Sequence, residues 1–297
     1  MTDFAVLADD YDRSDPLAEL RSLFHVPDGL VYLDGNSLGL MPLTTKDRIA
    51  EVVSDEWAHG LIGSWHEAGW MELPITVGDR IAPLIGVGPG EVAVGDSTSV
   101  NLFKCLAAAL QLRPERGVIL AEEDNFPTDN YICSGLAELS DRFEVRYMPY
   151  GSPIVDALDD DVAVMILSHV HYRSSLVRDM AAVNRAAHDV GALVLWDLSH
   201  STGAVPVDLK AADSDFAVGC SYKYLNGGPG APAFAWVSET LTDTVRQPLS
   251  GWMGHHDPFA FTLDYQPAEG IRRFVCGTPQ VLSLSALDES LKVWEEV

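Results

Sequence analysis

Seven short apolar runs, four to seven residues each, constrain this chain more than any other feature of its sequence. They are Glu91–Val94, Gly117–Ala121, Phe143–Met148, Val162–Ser168, Ala192–Asp197, Asp215–Gly219 and Ala231–Val237. Helical periodicity fills Ser99–Leu110, Thr128–Leu139 and Asp179–Val190 between them, the last with one apolar face and Gly191 as its stop. Apolar runs without a polar alternate belong to strands covered on both faces, and intervening helices supply that cover. The expected fold is therefore α/β, a mostly parallel sheet with helices on both faces.

The flanks are less regular. A short helix is expected around Pro16–Phe24, an extended stretch over Val31–Asp34, and a longer helix near Thr45–His59. From Gln247 to Gln280 the sequence is irregular and rich in Gly, Pro and aromatics. An amphipathic helix follows, with Leu284, Leu287, Leu291 and Trp294 on one stripe. No Gly, Asn or Pro stops it, so the chain is expected to break off inside an element. The expected division is an N-terminal segment with helices over 1–60, a large domain over 61–280, and the start of a further domain over 281–297.

Charge narrows the function classes. Forty-four acids against 19 bases leave −25, a field that repels phosphate backbones and anionic lipid, so nucleic-acid and membrane partners are excluded. The longest apolar runs, such as Val162–Leu167, reach six residues, far short of a membrane span. The amino-terminal M-T-D-F-A-V-L-A-D-D lacks a basic segment leading into a long apolar one, so no secretory signal is read and a cytoplasmic protein is expected. The cysteines at 105, 133, 220 and 276 have no metal-site spacing and read as small buried hydrophobes, and no metal is expected.

In open α/β sheets ligands bind beyond the carboxyl ends of the strands. A-L-V-L-W-D-L-S-H carries a strand out to Asp197, with His200 three residues later. Twenty-six residues beyond Asp197, S-Y-K-Y-L-N-G-G presents Lys223, one of only five lysines, between two tyrosines. A lysine amine freed of its proton attacks carbonyls, and a carboxylate can keep a pyridine nitrogen protonated; together these suit pyridoxal phosphate. A plain ion pair between the two remains the competing reading. G-D-S-T-S-V-N-L places Thr98 and Ser99 at a helix amino terminus, either as an N-cap or as phosphate donors. In D-N-F-P-T-D, Phe126 could stack on a flat ring or simply pack, and Asp129 follows at a helix start.

In order, these motifs together with Y-L-D-G-N-S-L-G-L-M-P at 32–42, G-W-M-G-H, and F-V-C-G-T-P at 274–279 resemble a known family. The chain, from about Tyr32 onward, resembles the class V branch of the aspartate-aminotransferase-like pyridoxal-phosphate enzymes (fold type I), and within it the kynureninases. The resemblance implies hydrolysis of the Cβ–Cγ bond of L-kynurenine, or 3-hydroxykynurenine, to anthranilate or its hydroxy form and L-alanine, in tryptophan catabolism and NAD biosynthesis. It makes Lys223 the residue that holds the aldehyde and Asp197 the partner of the ring nitrogen. Thr98, Ser99 and Tyr222 become phosphate contacts, Phe126 stacks, and Asp129, Ser168 and His200 line the cofactor. It implies a homodimer in which Trp252 and Thr278 serve the neighbouring subunit. Ser37 and His66 fall on the substrate side, with Trp65 and Trp70 available as an apolar wall. Lys223 is then the base at the substrate's Cα, and His66 and Tyr222 are the expected oxyanion donors.

One departure stands out. The family continues into a smaller carboxy-terminal domain bearing an arginine for the substrate α-carboxylate, and no arginine follows Arg273 here, so that domain is expected to be largely absent. Arg173 in H-Y-R-S-S is a poor stand-in. The alternatives are another class V enzyme, an aminotransferase or a cysteine desulfurase using Cys276, or a truncated cofactor-binding protein without turnover.

Overall fold

All seven apolar runs form strands, and they join one sheet. A computed structural model describes residues 3–297; Met1 and Thr2 of the amino-terminal run lie outside it. The strands are β1 Val92–Val94, β2 Val118–Glu122, β3 Glu144–Met148, β4 Val162–Ser168, β5 Leu193–Asp197, β6 Phe216–Gly219 and β7 Phe234–Val237. Their order is β1-β7-β6-β5-β4-β2-β3, and only β7 runs against its neighbours. Ser168 pairs with Asp197 and Asp197 with Val218, so β4, β5 and β6 end level at one rim.

Among the described residues nine α-helices accompany the sheet: α1 Phe4–Ser14, α2 Thr45–Glu51, α3 Ser64–Glu67, α4 Leu73–Ile81, α5 Thr98–Leu112, α6 Pro127–Ala137, α7 Met180–Asp189, α8 Glu239–Thr242 and α9 Val281–Leu291. Successive residues along β5 feed opposite faces. Leu193 and Leu195 join a cluster with α5 and α6, while Val194 and Trp196 join one with α4, α7 and α9. That two-sided burial is why the strands read as unbroken apolar runs. Gly191, at φ +80°, ends α7 by taking the left-handed turn that side chains resist. No helix among the described residues is long and apolar enough to cross a membrane.

The flanks depart from expectation in two places. Val31–Asp34 carries no regular element, and the Tyr32 hydroxyl donates to the Leu38 carbonyl at 2.7 Å. The helix expected over Thr45–His59 is α-helical only to Glu51 and then widens into a π-helix over Val52–Gly60. There the Ser64 hydroxyl takes the Glu56 carbonyl at 2.6 Å and the Trp70 indole takes its carboxylate at 2.7 Å. Around Pro16–Phe24 the helix is a 3-10 helix, Ala18–Leu23. At the other end, Leu284, Leu287 and Leu291 of α9 are buried in the core, with Trp294 packed against them.

Candidate active site

At the rim where β4, β5 and β6 end, loops enclose a cavity of about 340 Å³. Asp96, Ser97, Thr98 and Ser99 wall one side, Phe126 and Asp129 another, and Asp197, His200, Tyr222 and Lys223 the floor. Ser97 caps α5, its hydroxyl accepting from the Val100 N–H at 3.4 Å, so Thr98 and Ser99 open a 15-residue helix. The first N–H groups of such a helix lack intrahelical acceptors and present positive partial charge to an anion.

Asp197 closes β5 and is only 3% exposed. One of its oxygens accepts the Ser199 N–H at 2.9 Å. The Lys223 Nζ sits 2.8 Å from the His200 Nε2 and 5.7 Å from the centre of the Phe126 ring. Burial, then the charge of Lys223, pulls the His200 pKa down, so the imidazole is held neutral and its Nε2 accepts from Lys223. Burial pushes the Tyr222 hydroxyl up to about 12, which keeps it a hydrogen-bond donor. Phe126 is the N-cap residue of α6 and stands edge-on to Tyr172 at 5.4 Å, which fixes its face toward the lysine.

Two supports come from far along the chain. The Gly39 N–H donates to the Tyr222 carbonyl at 2.8 Å, and the Asn226 amide donates to the Leu40 carbonyl at 2.8 Å. Lys104 on α5, almost wholly buried, donates to Asp96 and to the Phe274 carbonyl, both at 2.7 Å. It ties the floor of the anion end to the strap that carries 271–278.

Comparison with known proteins decides the family. A model of the class-V aminotransferases matches residues 144–297. Kynureninase of Burkholderia pseudomallei (strain 1106a) is 51% identical over 290 residues, 96% of this chain and 70% of that protein. The chain belongs to the kynureninase family. Kynureninase of Pseudomonas fluorescens is similar at 49% identity over the same shares. Among solved structures, C-DES with glycine covalently linked to its PLP cofactor superposes with a TM-score of 0.77 at 17% identity, covering 93% of this chain and 74% of that one. The cysteine desulfurase CsdA of Escherichia coli gives 0.75 at 18%, covering 93% and 70%. At that identity these two speak for the fold alone.

The cofactor of this fold is pyridoxal phosphate, and the cavity suits it. An unshared helix amino terminus lies at one end, a buried carboxylate and a lysine at the other, and an aromatic face stands over the lysine. In this member of the kynureninase family, Thr98, Ser99, Phe126, Asp129, Asp197, His200, Tyr222 and Lys223 all meet at that cavity. Ser168 stands behind the wall instead of on it, because its hydroxyl is drawn to Asn125 at 2.6 Å. Ser37 and His66 are exposed and outside the cavity: Ser37 turns back on Asp34 at 2.8 Å, and the His66 ring faces Phe259 at 6.3 Å. Trp65 meets Trp70 at 5.8 Å and Trp252 at 6.4 Å, forming an aromatic cluster apart from the cavity. Neither Trp252 nor Thr278 reaches the cavity of its own chain. Cys276 is half-buried, with burial raising its thiol pKa, which is the reverse of what a persulfide-forming nucleophile needs.

Sequence reading passed over Asn125, Asp96, Ser97, Thr128 and Ser199. Only Asn125 carried a signal, as the polar residue directly before the phenylalanine in D-N-F-P-T-D.

Proposed function

We propose that this chain is a pyridoxal-phosphate-dependent hydrolase that cleaves the Cβ–Cγ bond of L-kynurenine, and of its 3-hydroxy form, to release anthranilate or 3-hydroxyanthranilate and L-alanine. The observation that carries this reading is Lys223, held 2.8 Å from a neutral His200 beside a buried Asp197, in a chain about half identical to kynureninases. When bound, the cofactor supplies an aldehyde that captures the substrate amine and a protonated ring that accepts electrons from the breaking bond.

The protein does the rest. Thr98 and Ser99 hold the phosphate with their hydroxyls and the amide groups of the α5 terminus, and Tyr222 adds a hydroxyl. Asp197 holds the ring nitrogen in its protonated form, and Phe126 covers the ring face. His200 Nε2 keeps the Lys223 amine aimed, and Lys223 moves the proton at the substrate's Cα. The Tyr222 hydroxyl, which has one proton to give, turns from the phosphate to the oxyanion that forms when water adds to the γ-carbonyl; its raised pKa keeps that proton in place.

His66, Ser37, Trp252 and Thr278 lie outside their own chain's cavity, and a homodimer gives them a role. Trp252 and Thr278 serve the phosphate end of the neighbouring subunit, while His66 and Ser37 line the substrate side. Residues 61–280 act as the cofactor-binding domain, with 1–60 covering it, 281–297 opening a further domain, and the enzyme working in the cytoplasm.

The test is a visible absorption spectrum of the purified chain with pyridoxal phosphate, before and after L-kynurenine. The expected result is a cofactor band that Lys223→Ala abolishes, followed by loss of kynurenine absorbance as anthranilate appears. A lysine-dependent band with sulfide release from cysteine, and no loss of kynurenine, would overturn the substrate assignment.

A further inference from the structure

Asn125 sits in the loop between β2 and α6 and is 3% exposed. Its side-chain carbonyl receives both the Ser168 N–H at 3.2 Å and the Ser168 hydroxyl at 2.6 Å. A backbone N–H can only donate, so the atom facing Ser168 must be the amide oxygen, and the amide NH2 must face the other way. There it donates to one oxygen of Asp129 at 3.2 Å. That oxygen is thereby committed as an acceptor. Asp129 and Asp197 are 1% and 3% exposed and line the same cavity, near enough that the charge of Asp197 lifts the Asp129 pKa, and two buried carboxylates so placed do not both stay ionised.

We propose that Asn125 is a positioning residue that directs the proton of Asp129 onto its second oxygen, where it is donated to Asp197, so that the pair meets the cofactor with a single negative charge. This rests on the pyridoxal-phosphate reading and deepens it. Asp197 then has one oxygen engaged by the Ser199 N–H and the Asp129 proton beside it, with the remaining acceptor direction left for a ring N–H. The other charged or titratable groups around the pair agree. Lys223 is the cation facing both carboxyls and His200 is neutral, while burial raises Cys133 and Tyr222, each to about 12, and Cys220 as well, so that all three are uncharged. Burial, and after it the charge of Asp197, lifts the Asp129 pKa well above the usual carboxylate range.

The test begins on cofactor-free protein labelled with 13C at the aspartate carboxyl carbon. Infrared spectra at neutral pH should show the carbonyl stretch of one un-ionised carboxyl, and Asp129→Asn should remove it. Asp129→Asn, whose NH2 can donate to Asp197 and whose oxygen can accept from Asn125, should bind pyridoxal phosphate at least about tenfold tighter than Asp129→Ala, which can do neither. Asn125→Asp keeps the acceptor for Ser168 but loses the donor, and should weaken pyridoxal-phosphate binding by about tenfold or more and move the pH midpoint of the bound cofactor's visible band. The proposal is overturned if the wild type shows no un-ionised carboxyl, or if Asp129→Asn binds the cofactor as poorly as Asp129→Ala. If wild type binds no cofactor, the functional reading fails, and the infrared band still decides where the proton sits.

Discussion

The Nζ of Lys223 and the Nε2 of His200 stand 2.8 Å apart inside a pocket whose burial keeps the imidazole neutral. A histidine with a depressed pKa adds stability that is present above its unfolded value of about 6.5 and lost as pH falls through the folded value. Thermal unfolding of cofactor-free protein between about pH 4.5 and 7.5 should therefore show an acid-side loss that His200→Gln lacks. With cofactor present, His200→Leu removes the acceptor that faces Lys223, and pyridoxal-phosphate affinity should fall by about tenfold or more in a spectral titration.

His188 carries the opposite sign. Its Nε2 lies 2.9 Å from an Asp215 oxygen that also accepts the Val194 N–H at 2.8 Å, and that hydrogen bond raises the imidazole pKa. The stabilisation is complete below about 6.5 and disappears as pH rises through the raised folded value. Since the ring is half-buried, His188→Gln should lower Tm by about 1–3 °C near pH 6 and by less near pH 8.5.

Gly39 should tolerate no side chain. A Cβ there would lie 2.1 Å from the Lys223 carbonyl oxygen and 2.9 Å from the Asn226 Cα. Gly39→Ala must push the 34–42 segment off the lysine loop, lengthening the bond to the Tyr222 carbonyl. Overpacking of this kind costs about 1–3 kcal/mol, or roughly 2–10 °C in Tm by calorimetry. The cofactor titration should weaken in parallel; an unchanged Tm would mean that the segment does not brace the loop.

Lys104 balances the charge of Asp96 at the anion end of the cavity. Lys104→Met should destabilise the protein by about 2–3 kcal/mol, below the value for a fully enclosed pair because Asp96 keeps some solvent contact. It should also weaken phosphate-bearing ligands more than pyridoxal itself. Adding Asp96→Asn should recover part of both losses, and a double-mutant cycle measures that coupling. Independent, additive effects would remove the pairing from the account.

The sheet was readable because strands buried on both faces must be apolar throughout; Val162–Ser168 was placed to the residue. Helix α1 was passed over although Phe4, Leu7 and Tyr11 recur at helical spacing; every one of its residues is exposed, so packing adds nothing to that short signal. Helix α4 hid behind Pro74 at its start and Gly78 in its interior. That glycine is required because a Cβ there would lie 2.0 Å from the Val92 carbonyl oxygen, a contact no sequence pattern announces. At the site, Lys223, Asp197 and Thr98 were legible because strand ends and helix starts have sequence signatures. Asn125 and Lys104 were not: each matters for what it touches across the fold, Ser168 in one case and Phe274 in the other. Ser168 itself was put beside the cofactor by the family resemblance, and the pull of Asn125 could not be read from β4 alone.

The hydrogen bond from Asn226 to the Leu40 carbonyl joins residues 186 positions apart. At synthesis speeds of about 5–20 residues per second, Leu40 leaves the ribosome roughly 10–40 s before its partner. Through that interval the Gly39 N–H and the Leu40 carbonyl have no lysine loop to bond to. The brace on Lys223 is thus among the last contacts to form, and a cofactor arriving early would meet a pocket whose lysine is not yet held in place.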